Sequence, residues 1–133
     1  MHLIVCVDDR YGMSFCGRRL SRDKEVSAHI LNLSSHNNLW IHPSSKILFP
    51  ESDVKTDPDF LQKAAAGDYC FVEITALPSK MESLESVILY HWNRAYPATV
   101  RFPIELIKDM RLVHTENFPG NSHDTITMER YTL

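Results

Sequence analysis

Apolar residues in this 133-residue chain fall into short runs of two kinds. Leu3 to Val7 is continuous, largely β-branched and closed by Asp8-Asp9, the pattern of a central strand covered on both faces. Tyr69 to Ile74 and Val87 to Asn93 repeat that character. Leu39-Trp40-Ile41 follows an Asn37-Asn38 turn and is stopped by Pro43, which offers no amide to a ladder. Between these runs the period changes. Ser21 is placed to cap a helix whose Val26, His29, Ile30 and Leu33 recur at i, i+3, i+4, i+7. Asp57-Pro58 and Gly67 bracket a second helix, and Ser79-Lys80-Met81-Glu82 has the form of a capping box starting one or two turns that end near Ser86. The polar run from 50 to 58 is an exposed loop. Met110 to Phe118 and His123 to Tyr131 then alternate with period two across Pro119-Gly120-Asn121, as in a long hairpin. Strand alternating with helix, ending in a hairpin, predicts an α/β fold. We expect one domain over 1–133, with a mixed, mainly parallel sheet, an antiparallel C-terminal hairpin and short helices on both faces.

Composition narrows the function. A hydrophobic content of 44% suffices for one core. The net charge of −3 arises from 14 basic and 17 acidic residues without long runs, which argues against nucleic acid as a partner. Cys6, Cys16 and Cys70 form no disulfide or metal spacing, and the opening MHLIVCV is too short to cross a membrane, so a cytoplasmic location is expected and no membrane partner. Cys16, between Phe15 and Gly17, is the thiol expected to be exposed. The histidines lack any shared metal-ligand spacing, so no metal is expected. His29 reads as a core-edge imidazole, and His91 and His114 could oppose one another across strands. Ser122-His123-Asp124 contains triad residue types, but neighbours on a strand point to opposite faces.

The order of several motifs resembles dihydrofolate reductase. Val7-Asp8-Asp9-Arg10-Tyr11-Gly12-Met13 is similar to that family's first strand and following turn, and Leu20-Ser21-Arg22-Asp23 to the lead-in to its first helix. Residues 88–103, ILYHWNRAYPATVRFP, resemble a later strand and the segment after it, and Asn121-Ser122-His123 sits where the family has the turn before its final strand. The resemblance implies that fold, a bacterial cytoplasmic protein and a small heterocyclic ligand. It implies a ligand cleft at Val7, Gly12, Met13, Trp40 and Trp92. It also implies a catalytic site in which Asp23 takes the proton-relay position and Tyr90 the place of its threonine partner. Gly12 is expected to supply a positive φ.

Departures fall mainly on the NADPH side. The family's Gly-Gly, where backbone approaches the cofactor, is replaced by Val72-Glu73-Ile74-Thr75. Its cofactor-phosphate arginine motif becomes His42-Pro43-Ser44-Ser45, without a cation. The adenosine-binding part is compressed into residues 46–60. Ser27 replaces an aromatic that would pack on the pterin. The expectation is a small-molecule binder or interaction module with no cofactor and without NADPH-dependent reduction. One alternative is an NADPH-dependent reductase of a pterin-like heterocycle using Asp23. Another is a structural homodimer joined through a sheet edge. A ribonuclease of the ribonuclease Z type would need a His-x-His-x-Asp-His metal cradle that this chain does not contain.

Overall fold

The computed structural model describes residues 1–133. The Leu3–Val7 run forms β1 (His2–Val7) in the middle of the main sheet. In chain order there follow β2 (Gly12–Phe15), β3 (Arg18–Arg19), helix α1 (Lys24–Leu33), β4 (Leu39–Ile41), β5 (Lys55–Thr56) and the one-turn helix α2 (Phe60–Lys63). Next come β6 (Tyr69–Val72), β7 (Ser86–His91), β8 (Val100–Arg101), β9 (Arg111–Phe118) and β10 (Ile126–Thr132), with 3-10 turns at Pro43–Leu48 and Ile104–Leu106. The main sheet has the order β5-β4-β6-β1-β7-β10-β9, parallel from β5 to β7 and antiparallel beyond. This is the sheet the sequence predicts. A second antiparallel sheet, β3-β2-β8, is not foreseen, because two of its strands have only two residues and leave no period to read.

Strand β1 is apolar throughout because it serves two cores. Ile4 and Cys6 face α1, packing with Val26 and Ile30, while Leu3, Val5 and Val7 face Phe60, Phe102 and Leu106. Both sheet edges discourage pairing with another chain. Strand β5 is two exposed residues, one a lysine, and β9 is interrupted by a bulge opposite Arg130/Tyr131.

Several local expectations are corrected. Helix α1 is capped by Asp23, not Ser21: Asp23 is extended (φ −152°, ψ 129°) and its side chain accepts the Glu25 amide. Helix α2 is a single turn beginning at Phe60 and ending well before Gly67. Asp57 instead accepts the Asp59 amide at 2.8 Å in the turn before it. The capping box at Ser79 starts no helix. Apart from Leu84, residues 79–85 bury no side chain fully, and the segment is drawn out along the N-terminus, where the Met1 amine donates to the Ser83 carbonyl and Met1 O accepts the Glu85 amide. Strand β10 begins at Ile126 rather than His123, since 121–123 are held elsewhere.

The turn after β1 is built on Asp8, whose buried carboxylate accepts the amides of Arg10, Gly12 and Tyr96. Its left-handed residue is Tyr11 (φ 63°), not Gly12. Gly12 is needed for close approach: a Cβ there would stand 2.5 Å from Ala98 Cβ and 2.9 Å from Asp8 Oδ1. Gly12→Ala should therefore cost about 1–3 kcal/mol in urea denaturation. Adding Ala98→Gly should return part of that loss, and no recovery would show that the Ala98 contact is not the cause.

Candidate functional site

The N-terminus of α1 meets the loop between β9 and β10 at a single carboxylate. Asp23, with a fully buried side chain, accepts the amides of Glu25, Asn121 and Ser122 and the Ser122 hydroxyl. His123 Nδ1 lies 2.9 Å from Asp23 Oδ2. Gly120 admits this approach, because a Cβ there would be 2.7 Å from Asp23 Oδ2 and 2.6 Å from the His123 carbonyl. Burial pushes the Asp23 carboxyl up. The Asn121 amide, the His123 ring and the other amides outweigh it and hold the group well below the usual carboxylate range. An ionised carboxyl offers about four lone-pair sites, and these contacts use them. The far side of His123 is also engaged: Nε2 lies 3.0 Å from Ser21 Oγ and 3.3 Å from the Tyr96 hydroxyl, and the ring stacks on Trp92 at 4.7 Å.

A second buried charge lies across the chamber. Glu73 pairs with Arg19 at 2.7 Å and accepts the Ser45 hydroxyl at 2.7 Å, while Arg19 also donates to the Ser44 carbonyl. A cation thus does reach the His42–Ser45 segment, from β3 rather than from the segment itself. Between Arg19–Glu73 and Asp23–His123, with Met13, Phe49 and Trp92 as apolar walls, there remains a cavity of about 20 Å³. That holds about one water. Outside it, between α1 and residues 47–50, runs an open groove of about 750 Å³. Ala28, Leu31, Ile47 and Leu48 line the groove, with Arg22 and Lys24 among its polar residues.

Of the anticipated site residues, Asp23, Met13 and Trp92 are brought together. Tyr90 is not. It is buried, and its hydroxyl lies 2.7 Å from His29 Nδ1, whose Nε2 reaches Glu116 at 2.7 Å. Burial raises the Tyr90 phenol far above its ordinary value. Val7 and Gly12 are buried without lining the chamber, and Trp40 donates to Asp68 at 3.0 Å on the far side of β6. His91 and His114 do not oppose one another, for β10 separates their strands and each pairs with a glutamate, Glu129 and Glu116. Cys16 is exposed and the other two cysteines are buried. No three His, Cys, Asp or Glu side chains are grouped to hold a metal ion, and no helix is long and apolar enough to cross a membrane. Sequence reading missed Arg19 as a chamber residue, and His123 and Ser45 as partners of the chamber's two carboxylates. The available signal was Glu73, a lone carboxylate continuing an apolar strand, which requires a buried partner.

The strand order and connectivity define a dihydrofolate reductase-like α/β fold. No family model and no curated protein sequence matches the chain. Among solved structures, dihydrofolate reductase from Enterococcus faecalis, complexed with NADP(H) and RAB-propyl, is similar with a TM-score of 0.68 and 12% identity. The likeness covers 98% of this chain and 94% of that one. At such identity it establishes the fold.

The Asp23 clamp has a consequence for acid stability. Its folded carboxyl ionises at lower pH than the unfolded one, near 3.9. Its contribution is therefore complete above about pH 5 and is lost as pH falls below about 4 towards the folded value. Asp23→Asn should lack that acid-dependent component and be about 3 kcal/mol less stable at pH 7. Urea midpoints at pH 7 and pH 3 test this, and an unchanged pH dependence in the variant would assign the acid limb elsewhere.

Proposed function

We propose that this protein is a dihydrofolate reductase-like binding domain that does not carry out nicotinamide-dependent reduction. Its ligand lies in the outer groove between α1 and residues 47–50. The observation that carries this reading is the contrast in space: about 20 Å³ in the inner chamber against about 750 Å³ in the groove. Small-molecule pockets ordinarily measure roughly 300–1,000 Å³, so a flat heterocycle does not enter the chamber unless the Arg19–Glu73 ion pair and the Asp23–His123 hydrogen bond are broken. Asp23 has no lone pair left to receive one. The groove suits a small molecule with an apolar body and an acidic end, laid along Ala28, Leu31 and Leu48 with its charge towards Arg22 and Lys24.

The residues do not fit a nicotinamide dinucleotide. Glu73 occupies the family's glycine position with its carboxylate buried and paired, and residues 73–85 contain no helix whose N-terminal amides could receive a pyrophosphate. Titration of NADPH followed by its fluorescence should show no saturable change at millimolar ligand. Aliphatic carboxylates such as octanoate should raise the melting temperature, by about 10 °C near a hundredfold excess over Kd, and Leu31→Glu should remove the rise. Saturable NADPH binding, or a carboxylate response unaltered by Leu31→Glu, would defeat the reading.

A further inference from the structure

Three side chains around the chamber stand in an order that clamping alone does not require. His123 is sandwiched between a carboxylate and a hydroxyl: Asp23 Oδ2 lies 2.9 Å from Nδ1, and Ser21 Oγ lies 3.0 Å from Nε2. An ionised carboxylate only accepts, so Nδ1 carries a proton, and the tautomer this selects for a neutral ring is the one whose Nε2 can accept from Ser21. Asp23 and His123 are buried with side-chain exposures of 0% and 3%, and the ring is fixed by stacking on Trp92. Ser21 is only half-buried and lines the one-water cavity. This is the geometry by which a carboxylate orients a base and the base activates a serine, recognised by roles rather than by sequence position. The rejected Ser122-His123-Asp124 run shares only its histidine with it.

We infer that Ser21, His123 and Asp23 form a hydrolytic triad acting on esters whose acyl chain lies in the groove between α1 and residues 47–50 and whose carbonyl alone reaches Ser21 through the small cavity, which shares Asp23, Ser27, Leu48 and Phe49 with the groove. The inference rests on the groove reading above for its substrate class. Ser21 Oγ bonds to the acyl carbon as its proton passes to His123 Nε2. The bond to the alcohol oxygen then breaks, and that oxygen takes the proton from Nε2. A water next gives a proton to Nε2 and its oxygen to the acyl carbon. The bond from Ser21 to the acyl carbon breaks, Ser21 recovers the proton, and an alcohol and an apolar acid leave. The product acid is the ligand chemistry that the groove fits. The oxyanion is assigned to the amides at the entry to α1, where the first N–H groups have no acceptor within the helix.

The test uses the intact protein with phenylmethylsulfonyl fluoride, read by intact mass and peptide mapping, and with p-nitrophenyl acetate, butyrate and octanoate. The expected result is a single sulfonyl adduct on Ser21 and hydrolysis that favours octanoate. In Ser21→Ala the adduct should be absent and the rate lower by at least about a thousandfold, with the melting temperature lowered by only a few degrees, because the Tyr96 hydroxyl remains beside Nε2. His123→Asn, if it folds, should likewise remain unlabelled. Absence of an adduct on Ser21 from the parent protein, or equal hydrolysis by parent and Ser21→Ala, overturns the triad. The small sulfonyl fluoride does not require the groove. Labelling without chain-length preference would therefore refute the groove reading and the acyl-ester substrate together while leaving Ser21 reactive. A carboxylate-induced thermal shift without labelling would refute the triad and leave the groove.

Discussion

One buried negative charge organises this end of the molecule. Asp23 lies where the chain enters α1, and a carboxylate without solvent must be surrounded by donors. The donors come from the helix it caps and from a loop nearly a hundred residues later in the chain. Once the amides of Asn121 and Ser122 point at Asp23 they cannot take part in a strand ladder, so β10 starts at Ile126 and the 119–125 segment bends inward instead of forming a tight hairpin. Gly120 follows from the same constraint, for any Cβ at that point would meet the carboxylate. His123 is carried against Asp23 by the bend and brings Ser21, Tyr96 and Trp92 into one network.

The opposite wall obeys the same rule with a different partner. Glu73 follows β6, where the related fold family has a residue without a side chain, and its burial obliges Arg19 and Ser45 to approach. Every buried side-chain nitrogen and oxygen in the protein has a partner. A fully satisfied polar network is stiff, because loosening one member leaves another buried and unpaired. The chamber is therefore closed by interactions that resist opening, whereas the groove beside it is open, with Ala28, Leu31 and residues 47–50 as its apolar part and Ile47 exposed.

The sheet was legible in the sequence because its strands are apolar on both faces or alternate over many residues, and Leu3–Val7 could hardly be anything else. Short elements escaped. β3 and β8 have two residues each, and the Ser79 box had the local chemistry of a helix start but too little apolar surface behind it to make a helix worthwhile. Ser21 and Asp23 are both good caps, and tertiary contacts chose between them: Ser21 turns to His123, and Asp23 remains for the helix. Asp23, Met13 and Trp92, which line one chamber, were among the residues that the family resemblance pointed to. His123, Arg19 and Ser45 were not, because their roles depend on contacts between residues 28 to 102 apart in the chain. Tyr90 was misplaced for a related reason. Its strand and burial were readable, but its partner, His29, depends on which way α1 is rotated over the sheet.

Asp23 cannot easily serve two chemistries. A carboxyl that relays protons to a bound heterocycle must stay free to bind it and must take up a proton near the working pH. In this chain its lone pairs are committed, and the surrounding amides keep it ionised far below neutral pH. Those properties are liabilities for a proton relay and assets for orienting an imidazole: a permanently charged, immobile acceptor fixes the tautomer that leaves Nε2 free for a hydroxyl. In the proposed triad the basic atom is therefore His123 Nε2 rather than Asp23, and the reactive hydroxyl is that of Ser21, beside the groove rather than beneath a ring.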